Sequence, residues 1–183
     1  MFARTPRLTL RPGWPEDAAA LTQAIAHFDV ACMLSRLPWP YTKADAEAWL
    51  TRAPGADEVN CLIFSHEHAY PELVGAISIL QRDPCGAHEL GYWLTPSARG
   101  RGYATEAGKA MLGIARYAIG LDRLRANHFI DNPASGKVLA KLGFRPTGEA
   151  MLHSIARGAE APCATLELDL AEETHGAVFS LAA

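Results

Sequence analysis

The residues best placed to do chemistry lie together in GYWLTPSARGRGYATEAGKAMLGIARY, positions 91 to 117. A strand-like run enters a loop in which Gly100 and Gly102 alternate with Arg99 and Arg101, and the loop opens directly into a helix-patterned segment. The first N–H groups of a helix have no internal acceptor and its dipole is positive at that end, so such a junction attracts anions. The glycines let the backbone approach a phosphate closely, and the arginines add charge outside the loop. The same residues also suit a tight strand-to-helix turn with solvated arginines, and spacing alone leaves both readings open. Two sharper phosphate motifs are excluded. A dinucleotide fingerprint needs a third glycine where Thr105 stands, and a P-loop needs a Gly-Lys-Ser/Thr end that the segment lacks.

Other reactive residue types are scattered. His66-Glu67-His68 has the i, i+2 spacing that puts two imidazoles on one side of a strand, but it falls in a turn without a third ligand nearby in sequence. A solvated loop, and no metal, is the expectation. Cys32, Cys61, Cys85 and Cys163 are widely spaced with no C-x-x-C, and read as reduced, mostly buried residues.

The elements that must position the loop follow from periodicity. Arg7 to Arg11 alternates around Leu8 and Leu10 as a first strand, ended by Pro12, Gly13 and Pro15. Asp17 opens an Ala-rich helix to about Phe28, Leu37 to Tyr41 is a proline-broken loop, and Thr42 caps a second short helix carrying Ala46, Trp49 and Leu50. Val59–Ser65 and Leu73–Leu80 read as an antiparallel pair, and Glu89–Thr95 as the strand before Pro96. From Gly102, Ala104, Ala107, Met111, Ile114 and Ala118 recur at helical steps up to Gly120. Leu124–Ile130 alternates as a strand, Asn132 and Pro133 suit the N-cap and first position of a helix stopped by Gly143, and strands near 144–154 and 163–170 follow.

Length and composition allow one α/β domain, over residues 1–175, with a tail at 176–183 rich in small residues and expected to fray. With 49% hydrophobic and 20% charged residues the chain has an ordinary globular balance, and a domain this long buries roughly 70% of its unfolded surface without staples. The formal charge of −3, with neither sign gathered into a run, argues against a nucleic-acid partner. The N-terminus has no apolar signal-peptide core, and no stretch approaches the ~20 apolar residues of a membrane span, so a cytoplasmic protein with no membrane partner is expected.

The pattern Arg99-x-x-Gly102-x-Ala104 resembles the Q/R-x-x-G-x-G/A pyrophosphate loop of the GCN5-related N-acetyltransferases (GNAT). The segments RLTLRPGWPEDAAAL, LPWPYTKADAEAWL, HELGYWLTPSARGRGYATEA and DNPASGKVLAKLGF are similar, in order, to the RimJ/RimL type of ribosomal-protein N-terminal acetyltransferase. The resemblance spans nearly all of residues 4 to 170. It implies the GNAT fold, a mixed twisted sheet of six or seven strands with a splayed central pair and flanking helices. It also implies an enzyme that moves an acetyl group from acetyl-CoA to a primary amine without a metal.

Residue by residue, the resemblance places Trp93, Leu94 and Thr95 beside the pantetheine arm in the splayed gap. It places the pyrophosphate at the backbone of Arg99, Gly100, Arg101, Gly102, Tyr103, Ala104 and Thr105. Asn132 matches an asparagine near the cofactor, a role compatible with N-capping. Ser135 matches a serine that protonates the departing thiolate; the tyrosine used elsewhere in the superfamily is Leu139 here. The attacking amine must be neutral, which calls for a base. Glu89 matches an acidic position in relatives, with a structural strand-edge charge as the alternative and His88 as a second candidate. Trp39, Tyr41 and Trp49 fall in the region that walls the acceptor in relatives, or are core aromatics. The acceptor is open among a protein N-terminus, a polyamine, an antibiotic amine and an amino acid. A non-catalytic acyl-CoA-binding module on the same fold is the competing class, and the assembly is expected to be a monomer or homodimer.

Overall fold

A two-residue strand β1, Ala3–Arg4, pairs with β2, Leu8–Arg11, whose alternating Leu8 and Leu10 are fully buried. The computed structural model describes residues 2–81 and 87–171. Cys85 and the tail at 176–183 lie outside them. Pro15–Asp17 forms one 3-10 turn ahead of α1, Ala18–Ile25, and α2 is Phe28–Ala31. The single helix expected from Asp17 to about Phe28 is therefore two, because the chain leaves helical geometry at Ala26, with ψ at 52°. Asp17 does not cap. Its carboxylate takes Arg11 at 2.7 and 2.8 Å and the Trp14 N–H at 2.8 Å.

Thr42 starts α3, Lys43–Thr51, by a reciprocal cap: its hydroxyl accepts from Asp45 N–H and its own N–H donates to the Asp45 carboxylate. The strands β3, Val59–Ser65, β4, Glu72–Gln81, and β5, His88–Leu94, form an antiparallel meander. The helix α4, Tyr103–Gly113, runs on through a π-helical turn at Ile114–Ile119 to β6, Arg123–Phe129. Then come α5, Pro133–Lys141, β7, Arg145–Ser154, and β8, Ala159–Asp169.

The eight strands make one sheet in the order β1-β2-β3-β4-β5-β6-β8-β7. Seven of them match the expected strands. The eighth, β1, is too short to show any periodicity in sequence, which is why the expectation stopped at six or seven. Every neighbouring pair is antiparallel except β5 with β6. The β4–β5 ladder runs from Gly75↔Leu94 to Gln81↔His88, whereas β5 and β6 meet at one register point, Glu89↔Arg125. This is the splay. Each strand residue alternates between faces, so Leu90 joins Leu124 and Ala126 in the main core with α4 and α5, while Trp93 joins the smaller cluster with α1 and α3.

The face predicted for α4 is buried at Ala104, Ala107, Met111 and Ile114 but not at Ala118, which is exposed. A π-turn holds more residues per turn than an α-turn and moves the buried stripe, so Ala115 is buried and Ile119 packs on the core where Ala118 was expected. Gly120, with φ at 82°, closes the segment in the left-handed conformation.

Candidate active site in the gap between β5 and β6

Because β5 and β6 part beyond Glu89, a cavity of about 870 Å³ opens between them and reaches the start of α4. At that end Gly100 and Gly102 have φ of 75° and 82°, in the region open to glycine alone at little cost. A side chain on Gly100 would meet no protein atom within 4 Å, so the loop backbone lies bare. The helical ladder begins with Glu106 N–H donating to the Gly102 carbonyl at 3.0 Å. The N–H groups of Tyr103, Ala104 and Thr105 stand ahead of it without helical acceptors, on residues that line the cavity.

The loop is clamped from beneath by the first strands. Tyr103 is fully buried; its hydroxyl sits 3.1 Å from Ser65 Oγ and donates to Glu67. The Glu106 carboxylate gathers Thr5 Oγ1 at 2.6 Å, Arg7 N at 3.0 Å and Arg7 Nε at 2.8 Å, and Arg7 Nη1 reaches the Arg101 carbonyl at 3.0 Å. Burial alone would raise the Glu106 carboxyl; the hydrogen bonds from Thr5 and Arg7 outweigh it and hold it below the ordinary glutamate value.

The two arginines of the loop differ. Arg99 lines the cavity and pairs with Asp29 of α2 at 2.6 Å, both side chains about half exposed. Arg101 does not line it: its guanidinium lies 5.3 Å from the Tyr103 ring centre and 3.9 Å from Glu67. On β5, Trp93 and Leu94 line the cavity, but Thr95, just past the strand's end, does not. Its N–H donates to Val74 of β4 at 2.9 Å and its side chain is buried.

The groups able to move protons sit on opposite faces of β5. On the α1–α3 face Glu89 lines the cavity and accepts from Asn127 Nδ2 at 2.8 Å. On the α4–α5 face the Tyr92 hydroxyl lies 2.8 Å from Ser135 Oγ and 3.1 Å from the Ser135 carbonyl. Burial pushes the Tyr92 phenol up to about 12, so it keeps its proton at neutral pH. Asn132 caps α5, its Oδ1 accepting the Ser135 N–H at 3.2 Å, and still lines the cavity. His88 is buried on the face away from Glu89 and does not line the cavity.

Among the aromatics, Trp49 lines the cavity while Trp39 and Tyr41 do not. Trp39 packs edge-on against Phe28 at 5.5 Å, and Tyr41 packs in the smaller cluster. Sequence reasoning overlooked Tyr92 and Asn127. Alternation along β5 and β6 places them on definite faces, but the partner of Asn127 follows only from the parallel register of the two strands, and that of Tyr92 only from the packing of α5. The His66 ring nitrogen contacts the Pro6 carbonyl at 3.0 Å, and His68 lies 3.6 Å from Glu72. Among the described residues no three His, Cys, Asp or Glu side chains gather as a metal site, and no helix is long and apolar enough to cross a membrane.

Residues 7–145 match the acetyltransferase (GNAT) domain family. The fold is similar to a GNAT-family acetyltransferase from Bacillus anthracis, with a TM-score of 0.79 and 22% identity over 93% of this chain and 99% of that one. It is also similar to RimL, the ribosomal L7/L12 alpha-N-protein acetyltransferase in complex with coenzyme A, with a TM-score of 0.74 and 19% identity over 92% and 98% of the two chains. Over 60 residues the chain is 37% identical to the uncharacterized N-acetyltransferase YoaA of Bacillus subtilis, a match covering 33% of this chain and 34% of that protein.

Proposed function

The chain belongs to the acetyltransferase (GNAT) domain family and is an acetyltransferase, and from that premise we propose that it passes the acetyl group of acetyl-CoA to a primary amine by direct attack on the thioester. The observation that carries this reading is one cavity that joins the bare start of α4 to a gap with Glu89 on one face and the Tyr92–Ser135 pair on the other. An anion-binding loop alone would serve a binding module. Proton-handling groups on both sides of the gap serve a transfer.

The residues present fit the cosubstrate. The N–H groups of Tyr103, Ala104 and Thr105 and the bare backbone at Gly100 hold its pyrophosphate, and Trp93, Leu94 and Asn132 flank its arm. Acetyl-CoA supplies an acyl carbon activated by a thiol leaving group. Glu89, oriented by Asn127, takes the proton of the incoming ammonium, directly or through one water, which is worth roughly 10²- to 10⁴-fold. The amine lone pair forms the N–C bond as the C–S bond breaks, its electron pair leaving on sulfur. Ser135 passes a proton toward that sulfur and is restored, through water, by the second proton that the new amide nitrogen sheds, so one proton ends on Glu89 and the other on the thiol.

A protein N-terminus is our first choice of acceptor, supported by the resemblance of the sequence segments to RimJ/RimL enzymes and by the RimL neighbour. We place the protein in the cytoplasm, supported by buried thiols at Cys61 and Cys163. The test is release of free coenzyme A thiol with acetyl-CoA and a panel of N-terminal peptides, polyamines and amino acids, beside calorimetry of coenzyme A. Saturable binding and amine-dependent thiol release are expected. Binding with no release for any amine overturns the transfer reading.

A further inference from the structure

The hydroxyl pair on the α4–α5 face has two internally consistent proton arrangements. In one, Tyr92 Oη donates to the Ser135 carbonyl at 3.1 Å and accepts from Ser135 Oγ–H, so the serine proton is turned away from the cavity. In the other, Tyr92 Oη donates to Ser135 Oγ at 2.8 Å, and the serine proton has to point elsewhere. Both residues line the cavity, so the second arrangement frees that proton to point into it. The backbone of Ser135 is fixed for this by the Asn132 cap, whose Oδ1 and carbonyl hold the Ser135 N–H at 3.2 and 3.1 Å.

We propose that Tyr92 is the positioning residue for Ser135: its phenolic O–H, donated to Ser135 Oγ, turns the serine proton toward the leaving sulfur. The inference rests on the acetyl-transfer reading of the gap. When an electron-rich sulfur arrives, the arrangement that presents a donor to it is selected, because an anion rewards an O–H aimed at it far more than a carbonyl does. Tyr92 acts without giving up its own proton, in keeping with the high phenol pKa that burial imposes. Ser135 Oγ–H donates to sulfur as the C–S bond breaks, the donor on its other side stabilises the charge drawn onto Oγ, and the proton shed by the new amide nitrogen restores the serine through water.

The test needs no acceptor. Coenzyme A is bound to the wild-type protein and to Tyr92→Phe, Ser135→Ala and the double variant, each first checked for a cooperative thermal transition. The bound thiol is then titrated by its ultraviolet thiolate absorbance. A hydroxyl that donates to sulfur stabilises the thiolate, so each single variant should raise the bound thiol pKa by about half a unit to one unit, and the double variant by no more than one single. A Tyr92→Phe complex that titrates as wild type, or a double variant showing the sum of the two shifts, overturns the proposal. If Tyr92→Phe does not fold, 3-fluorotyrosine in place of Tyr92 keeps the ring and strengthens the donor; it should lower the thiol pKa, and an unmoved value overturns the proposal. Wild-type protein that binds no coenzyme A overturns the underlying reading instead.

Discussion

Asn127 Nδ2 donates to Glu89 Oε2 at 2.8 Å across the mouth of the gap, two residues along β6 from the point where β5 and β6 still pair. The contact ties one carboxylate oxygen to the far strand and so sets the direction in which the carboxylate faces the cavity.

Glu89→Gln keeps size and hydrogen-bonding capacity while removing the base. Turnover on the true acceptor should fall roughly 10²-fold or more at neutral pH, with little change in coenzyme A affinity. The loss should shrink as pH approaches the amine pKa of roughly 8 to 10, where the acceptor is already neutral. Wild-type rates from about pH 6 to 9 would leave Glu89 with a structural role only.

Gly102→Asp puts a Cβ and a negative charge where φ is 82° and phosphates are proposed to dock. The left-handed conformation alone costs about 1–2 kcal/mol for a non-glycine residue, and charge repulsion adds to it on the cosubstrate side. Calorimetry should show coenzyme A affinity reduced at least tenfold in a folded variant. Unchanged affinity places the anion site elsewhere.

Glu106 gives the loop clamp a pH dependence whose sign is fixed. Its folded pKa lies below the unfolded value of 4.5, so its contribution to stability is fully present above about pH 4.5 and is lost as pH falls through the folded value. The difference in Tm between wild type and Glu106→Gln should be constant near neutrality and narrow on acidification from about pH 5 to pH 3. A gap that stays constant over that range would show that the carboxylate is not held by Thr5 and Arg7 in solution.

Gly75→Ala should be among the most damaging small substitutions in the sheet. Its Cβ would lie 2.1 Å from the Trp93 carbonyl oxygen and 2.8 Å from Leu94 Cδ2, and the first of these is backbone that cannot swing aside. About 2–4 kcal/mol of stability should be lost, lowering Tm by roughly 5–15 °C in a chain of this size. A thermal melt that does not move would mean that β4 and β5 separate there without penalty.

What the sequence made legible is what local rules control. The loop glycines, the Asn132 cap and most of the α4 face announce themselves through φ requirements, capping chemistry and helical spacing. The departures are equally physical. Nothing local distinguishes Thr95, whose N–H turns to β4, from Trp93 and Leu94, which border the gap. Trp49 borders the cavity instead of Trp39 and Tyr41 because α3 carries it there, whereas the proline loop carries the other two aside. Tyr92 met Ser135, and Glu89 met Asn127, only once tertiary register was known.

A sheet joined at a single register point is mechanically two plates, five strands on one side and three on the other. No ladder of backbone hydrogen bonds sets their spacing beyond Glu89, so that spacing rests on the shared core beneath and on the rivets that cross the seam. The Glu89–Asn127 contact joins β5 to β6, and the Tyr92–Ser135 contact joins β5 to the helix packed on β6. The side chains proposed to handle protons therefore also help to gauge the width of the slot they line. Of the replacements at these positions, Glu89→Gln can keep its bond from Asn127 and should disturb the width least, whereas Tyr92→Phe removes the hydroxyl through which Ser135 is held.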